Sequence, residues 1–124
     1  MTASGSEAAH IPVRRGEIWW VNFDPTQGGE IRKTRPAVVL TADALNLARR
    51  TVVVVPLSTG PQPRPPIVVA APSAGTNSVA VCDQVRAVDK RRLTRTQGRL
   101  SEVDLRSVED GLRRILELLA PTGG

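Results

Sequence analysis

Up to about residue 100 the apolar positions fall in short runs broken by Pro, Gly and charged residues; beyond it the spacing becomes helical. Residues 17–24 alternate imperfectly, with Trp19, Val21 and Phe23 on one face and Ile18, Trp20 and Asn22 on the other, which predicts a strand. Asp24-Pro25-Thr26 ends it as a turn. Residues 36–41 form a second strand whose composition suits burial on both faces. A short helical turn fits 43–49. A third strand fits 51–57, β-branched until Pro56 bends it or places it at an edge. Four prolines within 60–66 predict an extended loop; strands are expected at 66–71, at 78–88 as one strand or a bent pair, and at 96–100, with a turn at 72–77. Then the period changes. Ser101 has the form of a helix cap with Glu102 and Asp104 after it, and Leu105, Val108, Leu112, Ile115, Leu116 and Leu119 recur at helical spacing until Pro121-Thr122-Gly123-Gly124 stops the helix. Short, closely spaced strands and one terminal helix predict an α+β, mainly β fold. Its expected form is a small, strongly bent barrel of antiparallel strands with the helix packed on it.

At 124 residues the chain has room for one core, and no internal repeat divides it. Residues 1–13, small and polar, read as a disordered tail, leaving 14–120 as a single domain. The net charge of +5 makes nucleic acid or another polyanion a sensible partner class. The charge is concentrated: between residues 86 and 99, Arg86, Lys90, Arg91, Arg92, Arg95 and Arg99 face the single acid Asp89. One cysteine, Cys82, excludes an intrachain disulfide, fits a reducing cytosol and sits in an apolar run where a buried, inert thiol is expected. With one histidine and one cysteine, no metal site of the usual His/Cys type can be assembled, so no metal or cofactor is expected. No apolar stretch approaches the roughly 20 residues that span a bilayer, and the start lacks the pattern of a signal peptide, so a cytoplasmic location is expected.

The residue with the clearest chemistry is Arg35, a permanent cation at the mouth of the second strand, fixed by Pro36 and preceded by the Gly-rich charged loop 27–34. Pairing with a surface acid is the plain reading of such an arginine. The alternative is phosphate recognition, for which a planar guanidinium is suited. RNA cleaves itself when a 2′-hydroxyl attacks the adjacent phosphate, so a protein need only align, deprotonate and stabilise. Arg35 offers the cation, Ser58 or Thr59 at the end of the third strand the hydroxyl, and Glu30 a carboxylate base; a turn and a solvated loop acid are the plain readings of the last two features.

The ordered set of motifs resembles the MazF/PemK/Kid family of toxin ribonucleases. The resemblance runs through residues 15–26, Gly28-Gly29-Glu30, residues 34–40, Val55-Pro56-Leu57-Ser58-Thr59, residues 78–86 and residues 88–93, and ends at Gly98-Arg99-Leu100, covering roughly residues 14–119. It implies a homodimer of barrels related to the CcdB fold, an SH3-like barrel, that cleaves single-stranded RNA at short sequences without a metal. It implies also a cognate antitoxin, for which an acidic, partly disordered tail is the physical expectation. The family's essential arginine falls on Arg35, its strand-end threonine on Ser58 with Thr59 beside it, and its loop glutamate on Glu30. Asp83-Gln84 matches a segment that helps hold RNA, and the loop at 25–34 one that gates the groove. Arg32, Lys33, Gln84, Arg86 and Lys90 are thus the expected RNA contacts, with Trp20 placed to stack a base. Two rivals use the same barrel. A gyrase-poisoning toxin of the CcdB kind needs an aromatic, apolar C-terminus, which Pro121-Thr122-Gly123-Gly124 does not supply. An SH3-type peptide groove needs aromatics, whereas this chain has two Trp, one Phe and no Tyr, all in the first strand.

Overall fold

The computed structural model describes residues 12–23 and 34–119. The chain forms β1 (Glu17–Asn22), β2 (Thr34–Val39), helix α1 (Asp43–Ala48), β3 (Thr51–Ser58), β4 (Val68–Ala70), β5 (Val79–Val81), β6 (Arg86–Asp89), β7 (Leu93–Arg99) and helix α2 (Glu102–Leu116). Short 3-10 turns lie at Pro72–Ala74, Cys82–Gln84 and Lys90–Arg92. The seven strands are antiparallel and run β4-β5-β3-β2-β1-β7, with β6 on β3 off that path. The expected α+β, mainly β fold with its terminal helix is therefore present. The sheet is open, since among the described residues β4 and β7, at the two ends of the path, do not pair.

β3 organises the sheet. Along one edge it pairs β2; along the other it pairs β6 through Thr51–Val54 and then β5 through Leu57 and Ser58. Pro56 lies where that second edge changes partner, at a point that asks for no ladder donor, which is how a proline persists inside a buried strand. The strand continues to Ser58, one residue beyond its expected end, with Pro56 inside it rather than at a sheet edge.

Alternation along β1, β2 and β3 loads both faces. Ile18, Val38, Val55 and Leu57 join Cys82, Leu100 and Val108 in one core, against which Leu105, Leu112 and Ile115 of α2 pack. Trp19, Val21, Ala37, Val39, Val52, Val54, Val88 and Leu93 make the core of the other face. Val13, assigned to the tail by sequence, is buried in that second core, so the folded body starts earlier than expected; residues 1–11 lie outside the described residues.

The Ser101 cap is as the sequence predicts, its Oγ accepting from Asp104 N at 3.1 Å. The helix ends earlier than predicted, at Leu116, with Glu117 in the left-handed region donating its N–H to Arg113 and Arg114 carbonyls. Leu116 and Leu119 are exposed rather than packed, Leu119 lying beyond the end of the helix. Gly111 marks the tightest approach: a Cβ there would lie 2.9 Å from Pro66 O and 3.1 Å from Cys82 Sγ. β7 is longer than predicted, and the predicted strand at 78–88 resolves into β5, a turn and β6.

Candidate active site

The site forms where β1 ends, β2 begins and β3 ends. β2 sets Arg35 opposite Val21 and Pro36 opposite Trp20 on β1. It pairs β3 up to Ala37 opposite Pro56, so Arg35 and Ser58, each two residues beyond that pair, come to line one cleft. Opposed residues of neighbouring strands share a face, as do residues two apart on one strand, so Arg35 and Ser58 emerge side by side. Ser58 is braced from its other side by Val79 of β5.

A cleft of about 370 Å³ opens there, lined by Trp20, Arg35, Ser58, Thr59, Thr76, Ser78 and Gln97 among others. A second depression of about 390 Å³, with Gln62 and Asn77 in its wall, shares Thr59 and Ser78 with the first, so the two adjoin. The wall at 72–78 is tied to the start of α2. Ser73 N donates to the buried Asp104 carboxylate at 2.7 Å, and Ser101 N donates to Ser73 Oγ at 2.9 Å. Gly75, at φ 144, lets the wall turn where a Cβ would meet Ser78 Oγ at 3.1 Å.

The Arg35 side chain makes no hydrogen bond or ion pair with another described residue, so the surface-acid pairing weighed from sequence is absent among them. Ser58 Oγ accepts from Gly60 N at 3.3 Å, which is the turn contact expected of it, and keeps its own O–H free to donate. Thr59 is exposed beside it. The cleft thus presents a guanidinium and several hydroxyls, the equipment to hold a phosphate by charge and by donated hydrogen bonds. Among the described lining residues there is no carboxylate or imidazole.

Trp20 is half-buried in the cleft wall, and the Arg95 guanidinium stands 5.0 Å from its ring centroid. A like pair forms at the end of β1, with Arg86 at 5.1 Å from Phe23. The rest of the basic run does other things. Arg91 binds Asp89 at 3.1 Å, holding that carboxyl below its ordinary range. Arg92 donates to Asn22 O at 3.1 Å, and Arg99 to Arg15 O at 3.2 Å.

Of the residues proposed from sequence, Arg35, Ser58, Thr59 and Trp20 converge on the cleft. Arg86 is exposed but lies outside the lining, as does Gln84, whose turn packs toward α2 and β3. Lys90 corrects the expectation of an RNA contact. It is only 1 % exposed, because Asp89 caps the turn at Lys90–Arg92 and Lys90 N is bonded to Arg50 O, which seats the side chain inside the body. Glu30, Arg32 and Lys33, and the turn at 24–26, lie outside the described residues. Gln97 was missed. β7 carries an extra residue between Thr96, opposite Trp19, and Gly98, opposite Ile18, and that residue is Gln97. The one available signal was Gly98, whose φ of 116 the bulge uses.

Comparison with known proteins agrees over nearly the whole body. Residues 14–116 match the family described as PemK-like, MazF-like toxin of type II toxin-antitoxin system. The chain is 34 % identical over 115 residues to Endoribonuclease MazF9 of Mycobacterium tuberculosis, covering 86 % of this chain and 98 % of that one. It is 35 % identical over 111 residues to Endoribonuclease PemK of Escherichia coli, covering 86 % and 82 %. In structure it is similar to MazF in the MazE-MazF crystal structure from Deinococcus radiodurans, with a TM-score of 0.74 at 25 % identity over 88 % of this chain and 100 % of that one.

Proposed function

The chain belongs to the PemK-like, MazF-like toxin family of type II toxin-antitoxin systems, and on that footing we propose that it is an endoribonuclease that cuts single-stranded RNA at short sequences without a metal. The observation that carries the reading is Arg35, its side chain unpaired among the described residues and set in a cleft with Ser58. The substrate's 2′-oxygen attacks the adjacent phosphorus, the P–O5′ bond breaks, and the products are a 2′,3′-cyclic phosphate and a 5′-hydroxyl. Negative charge grows on the non-bridging oxygens during attack, and Arg35 lies where a fixed cation would meet it. Ser58, with its O–H undirected toward any described acceptor, holds a phosphate oxygen; Thr59 flanks it.

The base that takes the 2′-proton is assigned to Glu30. No described lining residue offers a carboxylate or imidazole, and the chain tethers Glu30 within about 14 Å of Thr34 at the cleft's rim. Arg32 and Lys33 share that tether and are proposed to contact the RNA backbone. The partners proposed are single-stranded RNA, a second copy of the chain, and an antitoxin with an acidic, partly disordered segment that matches the net charge of +5. No helix among the described residues is long and apolar enough to cross a membrane, and a cytoplasmic site of action fits an RNA target.

The test is cleavage of a long single-stranded RNA in EDTA, wild type beside Arg35→Ala, with the new ends mapped and their chemistry determined. Cuts at a recurring short sequence, ending in cyclic phosphate and slowed about 10²–10³-fold in the variant, are expected. Intact RNA with a pure wild-type sample overturns the proposal.

A further inference from the structure

One of the two extra residues of β7 stands at the cleft with no partner among the described residues. Gln97 is exposed, lines the cleft together with Trp20 and Arg35, and its carboxamide makes no hydrogen bond with another described residue. Its position follows from the ladder. Thr96 pairs Trp19 and Gly98 pairs Ile18, so Gln97 opposes no residue of β1 and owes nothing to the sheet. The bulge is held on both sides: Thr96 Oγ1 donates to Ile18 O at 3.2 Å and accepts from Gly98 N at 3.4 Å. An unpaired carboxamide on a fixed backbone is a donor and an acceptor at a set spacing, which is what the edge of a base requires. Beside it stands the Trp20 ring with the Arg95 guanidinium over it, an aromatic and a planar cation of the kind on which unstacked bases lie.

We infer that Gln97 is a specificity-determining residue that reads the edge of one nucleobase next to the scissile phosphate, while the Trp20–Arg95 stack supports the ring. The inference rests on the ribonuclease reading of the cleft and deepens it. The carboxamide fits adenine, whose exocyclic amine donates and whose ring nitrogen accepts side by side. A carboxylate at the same place only accepts, which suits the two adjacent donors on the Watson–Crick edge of guanine.

The experiment maps every cut made in a pooled random-sequence RNA by wild type, Gln97→Ala and Gln97→Glu, with rates at the wild-type consensus site. Wild type is expected to require adenine at one position beside the cut. Gln97→Ala should lose about 5- to 150-fold of that discrimination and still cut, with the other consensus positions kept. Gln97→Glu should move the preference at that position toward guanine. An unchanged consensus in both variants overturns the inference while leaving the ribonuclease reading intact. So does a uniform slowing at all sites, since that is how a merely structural residue behaves. No cutting by wild type overturns both.

Discussion

At the scale of single residues, the site separates groups by what already binds them. Ser58 is the last residue of β3, half-buried beside Arg35 and paired with Val79, whereas Thr59 lies in the bend that follows, exposed at the edge of the same cleft. Cleavage by Ser58→Ala is therefore expected to fall at least tenfold, Ser58→Thr should restore most of it, and Thr59→Ala should stay within a few-fold of wild type; initial rates on one defined RNA distinguish these outcomes. Equal losses at both positions would remove the case for Ser58. Cys82 lies outside the chemistry. Burial, with the neighbouring Asp83 charge adding to it, pushes its thiol up from 9.0 to about 11. The folded protein should resist a water-soluble maleimide at pH 7 and react at once when unfolded. Because the folded state holds this proton more tightly, the stability tied to it is complete below about pH 9 and is lost as pH rises toward 11. Labelling of the native protein at the rate of a free thiol would contradict this burial.

At the scale of elements, how α2 lies on the sheet is decided at Gly111. Alanine is the better helix former by about 1 kcal/mol, yet its Cβ would come within 2.9 Å of the Pro66 backbone oxygen and 3.1 Å of Cys82 Sγ and Val69 Cγ2. Gly111→Ala is expected to be net destabilising by about 1–2 kcal/mol, seen as a lower urea midpoint with an unchanged slope; a raised midpoint would mean the loop at Pro66 gives way freely. The helix also displays what sequence reveals. Its start was legible because a serine cap and acids announce themselves locally. Its end was not, since apolar periodicity continues through Leu116 and Leu119 although both are exposed and the helix stops at Leu116. Pattern likewise hid Gln97. Two inserted residues, Gln97 and Thr94, each shift the alternation by one, so β7 lacks a regular pattern although it is a seven-residue strand. Arg35 and Ser58 were legible as types, but their juxtaposition depends on the β2–β3 register, which no local pattern carries.

At the scale of the whole molecule, the basic run divides into cations that serve the fold and cations left for a polyanion. Arg95→Ala and Arg86→Ala are each expected to weaken binding of a single-stranded RNA and to reduce the log–log salt slope by about 0.7 for each phosphate no longer neutralised. Lys90→Ala should instead lower thermal stability, because the side chain it truncates is buried. Fluorescence anisotropy over a salt series, beside thermal melts, separates the two behaviours. A salt slope altered by Lys90→Ala in a fully folded sample would return that residue to the RNA surface. The pairing of β1 with β7 joins segments some seventy residues apart, and Trp20 meets Arg95 and Gln97 only through it. During synthesis at roughly 5–20 residues per second, Arg35 and Ser58 leave the ribosome seconds before β7 does. The nascent chain therefore carries Arg35 and Ser58 while β1 still has an open edge and the cleft lacks a wall. A molecule dangerous to its own messenger completes its working surface only when β7 reaches β1.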